Sequence, residues 1–154
     1  MISLHTSPLV QPGSGDSGGM NVYVREVASA LAQAGVECTT YTRADRPGLP
    51  VEVLVEPGHR VVHVPAGPYD LPKEALAAEL DAFTDGVADH LGAGPGVDAV
   101  HGNYWLSGVV GHRLKHQLGV PLVATFHTLA RVKAEGGDLE PAWVAEAEKK
   151  VAGR

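Results

Sequence analysis

Residues 12–21 read PGSGDSGGMN. Gly13, Gly15 and Gly18 spell G-x-G-x-x-G, the spacing that holds a pyrophosphate between strand and helix in dinucleotide-binding folds. That fingerprint places its first glycine directly after the strand, where it makes the tight turn beneath the pyrophosphate. Here the apolar run Met1–His5 reads as a buried strand, and TSPLVQP separates it from the first glycine. The fingerprint also wants an acidic residue about 20 positions on, at the end of the second strand. The second strand ends in YTRADR, with Asp45 late and flanked by Arg43 and Arg46. Three readings of the loop remain: a dinucleotide site, a flexible linker, or a turn that presents backbone N–H groups at Gly18–Asn21. The third is favoured, because free amides at the positive end of a helix suit a phosphate or sugar oxygen. Gly13 and Gly15 are then permissive backbone.

Outward from the loop, strands alternate with helices. A helix starts at Gly19, with Tyr23, Val27, Leu31 and Ala34 at helical spacing and Gly35 at its end. Val36–Thr42 reads as a strand, and VEVLV and RVVHV around Pro57-Gly58 as a hairpin. Residues 70–91 read as one helix, with Pro72 in its first turn and a stripe of Leu76, Leu80, Phe83, Val87 and Leu91. After the GAGPG break a short strand ends at His101. Leu106, Val110, Leu114 and Leu118 mark a helix closed by Gly119 and Pro121, PLVATFH is a strand ending at His127, and a last helix starts near Pro141. This order predicts an α/β fold with a Rossmann-like, doubly wound parallel sheet. Ligands bind such sheets beyond the carboxyl ends of the strands, so Thr6–Asn21, Gly102–Tyr104 and Thr128–Lys133 are the expected site loops.

Length and composition narrow the function. The 154 residues suit one domain, and 44% hydrophobic content is enough for a packed core. A net charge of −6 argues against a nucleic-acid or anionic-membrane partner. One cysteine, Cys38, rules out an internal disulfide framework and fits a reducing compartment. The first nine residues lack a basic region and a long apolar stretch, so a soluble cytoplasmic protein without a signal peptide is expected.

Three histidines, His5, His101 and His127, end predicted strands, where each is either a cleft residue or a satisfied core residue. His112 and His116, one helical turn apart, could form half a zinc site, but no H-E-x-x-H or C-x-x-C accompanies them. They read more simply as a solvated helix face, and no metal is expected. Lys73 and Lys133, taken alone, are solvated lysines. No G-x-S-x-G elbow, P-loop or obvious carboxylate pair is present.

Five strings carry more. SLHTSPLVQPGSGDSGGMNVYV, YTRADRP, AGPYDLPKEAL, HGNYWLSGVVGHRLK and VPLVATFHTLARVK together resemble the N-terminal half of the family-4 retaining glycosyltransferases, over nearly the whole chain. The resemblance implies the two-domain GT-B architecture. Residues 1–154 would be the acceptor-binding Rossmann-like domain, and the C-terminal donor domain would be absent from this chain, which alone would not turn over. It implies transfer of a hexosyl unit from a nucleotide-sugar, of the UDP-GlcNAc or UDP-glucose type, to a small phosphorylated polyol or sugar, with no covalently bound cofactor. A dinucleotide-binding module and a non-catalytic sugar-phosphate-binding domain are the alternatives. By the same resemblance, Gly18 and Gly19 lie by the donor diphosphate and Asn21 by the acceptor. Lys73, Tyr104, Thr128 and Lys133 grip the acceptor phosphate, and His127 is the histidine at the reacting centre. One departure stands out: relatives carry an arginine on the helix after Pro141, where this chain has Val144, with Lys149 and Lys150 about a turn later.

Overall fold

The structure, a computed structural model, describes residues 1–13, 18–129, 133, 135–137 and 142–153, with Ala142 described by its backbone alone. Gly15, Pro141 and Arg131 lie outside the described residues. The named strands are β1 (Cys38–Arg43), β2 (Glu52–Glu56), β3 (His59–Val64), β4 (Val100–Asn103) and β5 (Leu122–Thr125). The named helices are α1 (Gly19–Gln33), α2 (Leu80–Gly92), α3 (Tyr104–Leu118) and α4 (Ala142–Val151), and a 3₁₀ segment spans Lys73–Glu79.

The named strands form two pieces, β1–β3–β2 and β4–β5. The N-terminal segment joins them, as Ile2 bridges Tyr41 on one side and Gly102 on the other, both in parallel. Ile2 N donates to His101 O (2.7 Å) and Asn103 N to Ile2 O (3.0 Å). On the other flank Tyr41 N donates to Met1 O (2.9 Å), Ser3 N to Tyr41 O (2.9 Å) and Arg43 N to Leu4 O (3.1 Å). The expected strand at Met1–His5 is therefore the central strand of one sheet ordered β2–β3–β1–N-terminal strand–β4–β5. All neighbours are parallel except β2, which forms the expected hairpin with β3. Gly58, at φ +84, turns that hairpin in a conformation that L side chains rarely adopt. The chain runs from the central strand to β1 through α1, and in the other direction to β4 and β5 through α2 and α3. With right-handed crossovers, this reversal puts α1 on one face and the packed pair α2 and α3 on the other.

The core lies between the sheet and α2 and α3. Phe83, Val87, Leu106, Val110 and Leu114 close over Ile2, Leu4, Val62 and Val64. The predicted stripe of residues 70–91 is buried at Leu76, Leu80, Phe83 and Val87. That segment is not one α-helix, however: residues 70–72 are not helical, Lys73–Glu79 are 3₁₀ with Pro72 as the cap, and the α-helix begins at Leu80. Gly119 closes α3 at φ 69, in the left-handed conformation that caps helices.

The expected face of α1 is one residue out of phase. Its buried residues are Asn21, Val24 and Ala28, and Tyr23 is exposed. Small side chains let the helix sit close: a Cβ on Gly58 would lie 3.3 Å from the Ala32 Cβ. The short strand expected to end at His101 runs two residues further, to Asn103, and passes straight into α3. It lies against that helix so closely that a Cβ on Gly102 would sit 2.7 Å from the Ser107 carbonyl oxygen. We expect Gly102→Ala to destabilise the fold by about 1–3 kcal/mol, the range for overpacking, because main chain has to yield. Urea unfolding checks this; a midpoint equal to wild type would mean that β4 and α3 separate freely.

Candidate functional site

The carboxyl ends of the central strand, β1, β4 and β5 face the starts of α1 and of the 3₁₀ segment. Two non-glycine residues there adopt left-handed backbone, Tyr104 at φ 72 and His127 at φ 63. Each such residue costs of order 1–3 kcal/mol, and such strain clusters at functional sites. Tyr104 is the first residue of α3 and follows β4 without a loop. His127 lies two residues beyond β5, which ends at Thr125 rather than at the histidine.

Several predicted residues meet here. The Lys73 ammonium stands 4.7 Å from the centroid of the Tyr104 ring, a cation–π contact that joins the 3₁₀ segment to α3. His5 packs on the same residue, its ring centroid 4.6 Å from that of Tyr104. His127 Nε2 is 3.1 Å from Asn103 Oδ1, and its ring stands edge to face with that of Tyr23 of α1, the centroids 4.9 Å apart. Thr128 is exposed, with its backbone N–H donating to Phe126 O (2.7 Å). Lys133 is half-buried and its N–H donates to Leu129 O (3.0 Å).

The glycine loop is built as an open helix start. Gly18 precedes α1 with no side-chain cap, and no acidic residue occupies the first turn. A Cβ added at Gly18 or Gly19 would meet nothing within 4 Å, so neither packing nor backbone strain requires glycine there. Among the described residues no side chain caps the first amides of α1, an arrangement that suits an anion. Asn21 differs from its neighbours. Its side chain is buried, and its amide donates to Val10 O (3.1 Å), tying the preceding loop to α1, while Oδ1 is buried without a partner.

Beside Lys73 and His5 opens a cleft of about 380 Å³, a size suited to a small ligand; Leu4, Thr42, Arg43 and Tyr69 are among the residues lining it. Arg43, the last residue of β1, is buried and makes four hydrogen bonds to main-chain carbonyls: Ala44, Ala66, Pro68 and Tyr69. A buried guanidinium satisfied this way holds the 66–69 loop, and with it the approach to Lys73, against β1.

Four residues of this constellation escaped the sequence reading in whole or in part. Tyr23 stands on the expected apolar stripe of α1, His5 is ambiguous, Arg43 carries no signal of its own, and Asn103 falls within the expected Gly102–Tyr104 loop with nothing to mark its side chain. His101, conversely, is no cleft residue at a strand end: its Nε2 pairs with Thr125 Oγ1 (2.8 Å) across to β5. Val144 is buried in the core, and Lys149 pairs with Glu146 at 2.7 Å on an exposed face. His112 and His116 stack edge to face, their centroids 4.8 Å apart, and belong to no cluster of three metal-ligating side chains among the described residues.

The electrostatics favour neutral imidazoles. Burial, reinforced by Lys73 and His127, pushes His5 down to about 3. Burial also lowers His127 and His101. The depressed value of His5 means that the unfolded chain binds a proton the folded chain refuses between about pH 6.5 and pH 3. Stability conferred by neutral His5 is thus present above that window and lost as pH falls through it, at roughly 1.4 kcal/mol per pH unit at most. We expect His5→Gln to flatten the acid limb of a stability–pH curve below about pH 6. Chemical denaturation at several pH values checks this, and an unchanged slope would mean that His5 is protonated in the fold.

Comparison with known proteins places this geometry. Residues 18–154 match the glycosyl transferase 4-like domain. The chain is 49% identical, over 99% of its length, to a D-inositol 3-phosphate glycosyltransferase of Xylanimonas cellulosilytica, and covers 37% of that protein. It is 51% identical to the enzyme of the same name from Streptomyces coelicolor, over 92% of the chain and 33% of the relative. Among solved structures, a sucrose-phosphate synthase from Thermosynechococcus elongatus superposes with a TM-score of 0.91 at 32% identity, over 97% of this chain and 38% of that one. The chain thus spans about a third of the length of the curated relatives it matches. With its Rossmann-like sheet and an open glycine turn at the head of α1, the chain belongs to the glycosyl transferase 4-like family of GT-B glycosyltransferases.

Proposed function

We propose that residues 1–154 form the acceptor-binding half of a retaining glycosyltransferase. The enzyme moves a hexosyl unit from a nucleotide-sugar of the UDP-GlcNAc or UDP-glucose type to a small phosphorylated polyol or sugar. The observation that carries this reading is the Lys73 ammonium held over the Tyr104 ring beside the cleft, with Tyr104 kept there in left-handed backbone. An ammonium positioned by an aromatic face, rather than by a carboxylate, keeps its N–H donors for an anion. Lys133, Thr128 and the Tyr104 hydroxyl complete the acceptor-phosphate set, because charge-assisted hydrogen bonds are the strong ones. The relatives named for D-inositol 3-phosphate support a phosphorylated acceptor. Val144, buried in the core, adds no charge, so the grip rests on the two lysines.

The donor half belongs to a second domain that closes the cleft. Gly18 and Gly19 offer main-chain N–H groups to the donor diphosphate, and Asn21 braces the loop toward the acceptor. His127 contacts the hexosyl unit at the reacting centre. The reaction retains anomeric configuration, and the domain's share is positioning and stabilisation of the developing diphosphate charge. No helix of the described residues is long and apolar enough to cross a membrane, and the single cysteine is buried; both agree with a cytoplasmic enzyme.

Calorimetry with D-inositol 3-phosphate and with fructose 6-phosphate tests the phosphate grip. One of the two binds saturably, and Lys73→Ala weakens it about 10- to 100-fold, the worth of a hydrogen bond to a charged group. If neither binds, or if the substitution leaves affinity unchanged, the reading fails.

A further inference from the structure

We infer that Asn103 is a positioning residue that sets which ring nitrogen of His127 carries the proton, leaving Nδ1 as the ring's acceptor. The role of His127 at the hexosyl unit rests on the function proposed above; the proton's location does not.

The argument starts at the central strand. Ile2 O accepts the Asn103 backbone N–H at 3.0 Å and lies 3.5 Å from Asn103 Nδ2. A carbonyl oxygen only accepts, so the NH₂ end of the amide has to face it. Turning the amide over would set two acceptors against each other at a position whose side chain is fully buried, with no water to mediate. With NH₂ toward Ile2, Oδ1 faces His127 Nε2 at 3.1 Å. Oδ1 is an acceptor too, so Nε2 donates and carries the hydrogen. A neutral ring protonated there has its lone pair on Nδ1.

The surroundings keep the ring neutral. Among the described residues, the groups shown near it are Tyr23 of α1, Asn103 and His101 of β4 and His5 of the N-terminal strand, and none is a carboxylate. Partial burial pulls its pKa below the usual value. The left-handed backbone at His127 and the edge contact with Tyr23 hold the ring in that pose. An acceptor nitrogen suits a hydroxyl of the hexosyl unit, whereas an imidazolium would draw the phosphates instead.

The test reads the proton directly. Protein labelled with ¹⁵N at histidine is examined by long-range ¹H–¹⁵N spectra near neutral pH, with His127 assigned by its loss in His127→Gln. The unsubstituted protein shows a single Nε2–H tautomer at His127. In Asn103→Asp a carboxylate replaces the amide oxygen, and the protonation midpoint of His127 rises by about one pH unit or more. In Asn103→Leu the acceptor is gone and the two tautomers mix. Unshifted signals from the histidines of β3 and α3 certify that each variant is folded. An Nδ1–H ring or a mixture in the unsubstituted protein overturns the inference, as does an unmoved midpoint in folded Asn103→Asp. If neither variant folds, the tautomer of the unsubstituted protein decides. All of this is read without ligand, so a failed phosphate titration leaves it standing, and the reverse holds.

Discussion

The hydrogen bonds that Met1–Leu4 makes to both sides hold this molecule together. Without them there is a three-stranded piece and a two-stranded piece, and a two-stranded ribbon is marginal in water. With them, Tyr41 and Gly102 become neighbours through Ile2, and one sheet carries helices on two faces. The direction of chain winding reverses at this same strand. A reversal opens a crevice at the carboxyl ends, and His5, Arg43 and Asn103 all stand at that edge.

The edge is costly in itself, which separates it from an ordinary rim of loops. Two residues accept left-handed backbone, and His5 has a buried ring nitrogen, Nδ1, without a partner. A lysine stands over an aromatic face, and a buried arginine spends its donors on carbonyls. Each feature is tolerated because the strands beneath are tightly packed: Gly102 touches α3, and Gly111 has no room for a Cβ beside Leu122. A packed floor lets the groups above it be held in one pose before any ligand arrives, which is how positioning contributes to group transfer.

The polarity of the edge follows from the same economy. Neutral imidazoles gather where burial disfavours charge, while Lys73 and Arg43 both line the cleft together with Asp45 and Asp70, and Arg43 gives its donors to main-chain carbonyls. The bare start of α1 adds partial positive charge from main chain alone. Anions are thus met by an ammonium and by amides, and hydroxyls by uncharged rings.

The amino-acid sequence by itself determined the order of strands and helices, the hairpin at Gly58, the core stripe from Leu76 to Val87 and the left-handed cap at Gly119. These are local: each depends on periodicity or on a glycine that turns the chain. It also exposed the glycine turn as too far from its strand for a dinucleotide. The face of α1, the true end of β4 and the partners of His5, Arg43 and Asn103 were settled only in three dimensions. Tyr23 and Val24 fit a helical stripe equally well, and only the packing that buries Val24 and Ala28 and brings Ala32 against Gly58 decides between them. Asn103 becomes meaningful because Ile2, about a hundred residues earlier, presents a carbonyl to its amide. Contacts between residues so far apart in the chain leave no periodic trace in it, so the fold could be read from the sequence while the proton on His127 could not.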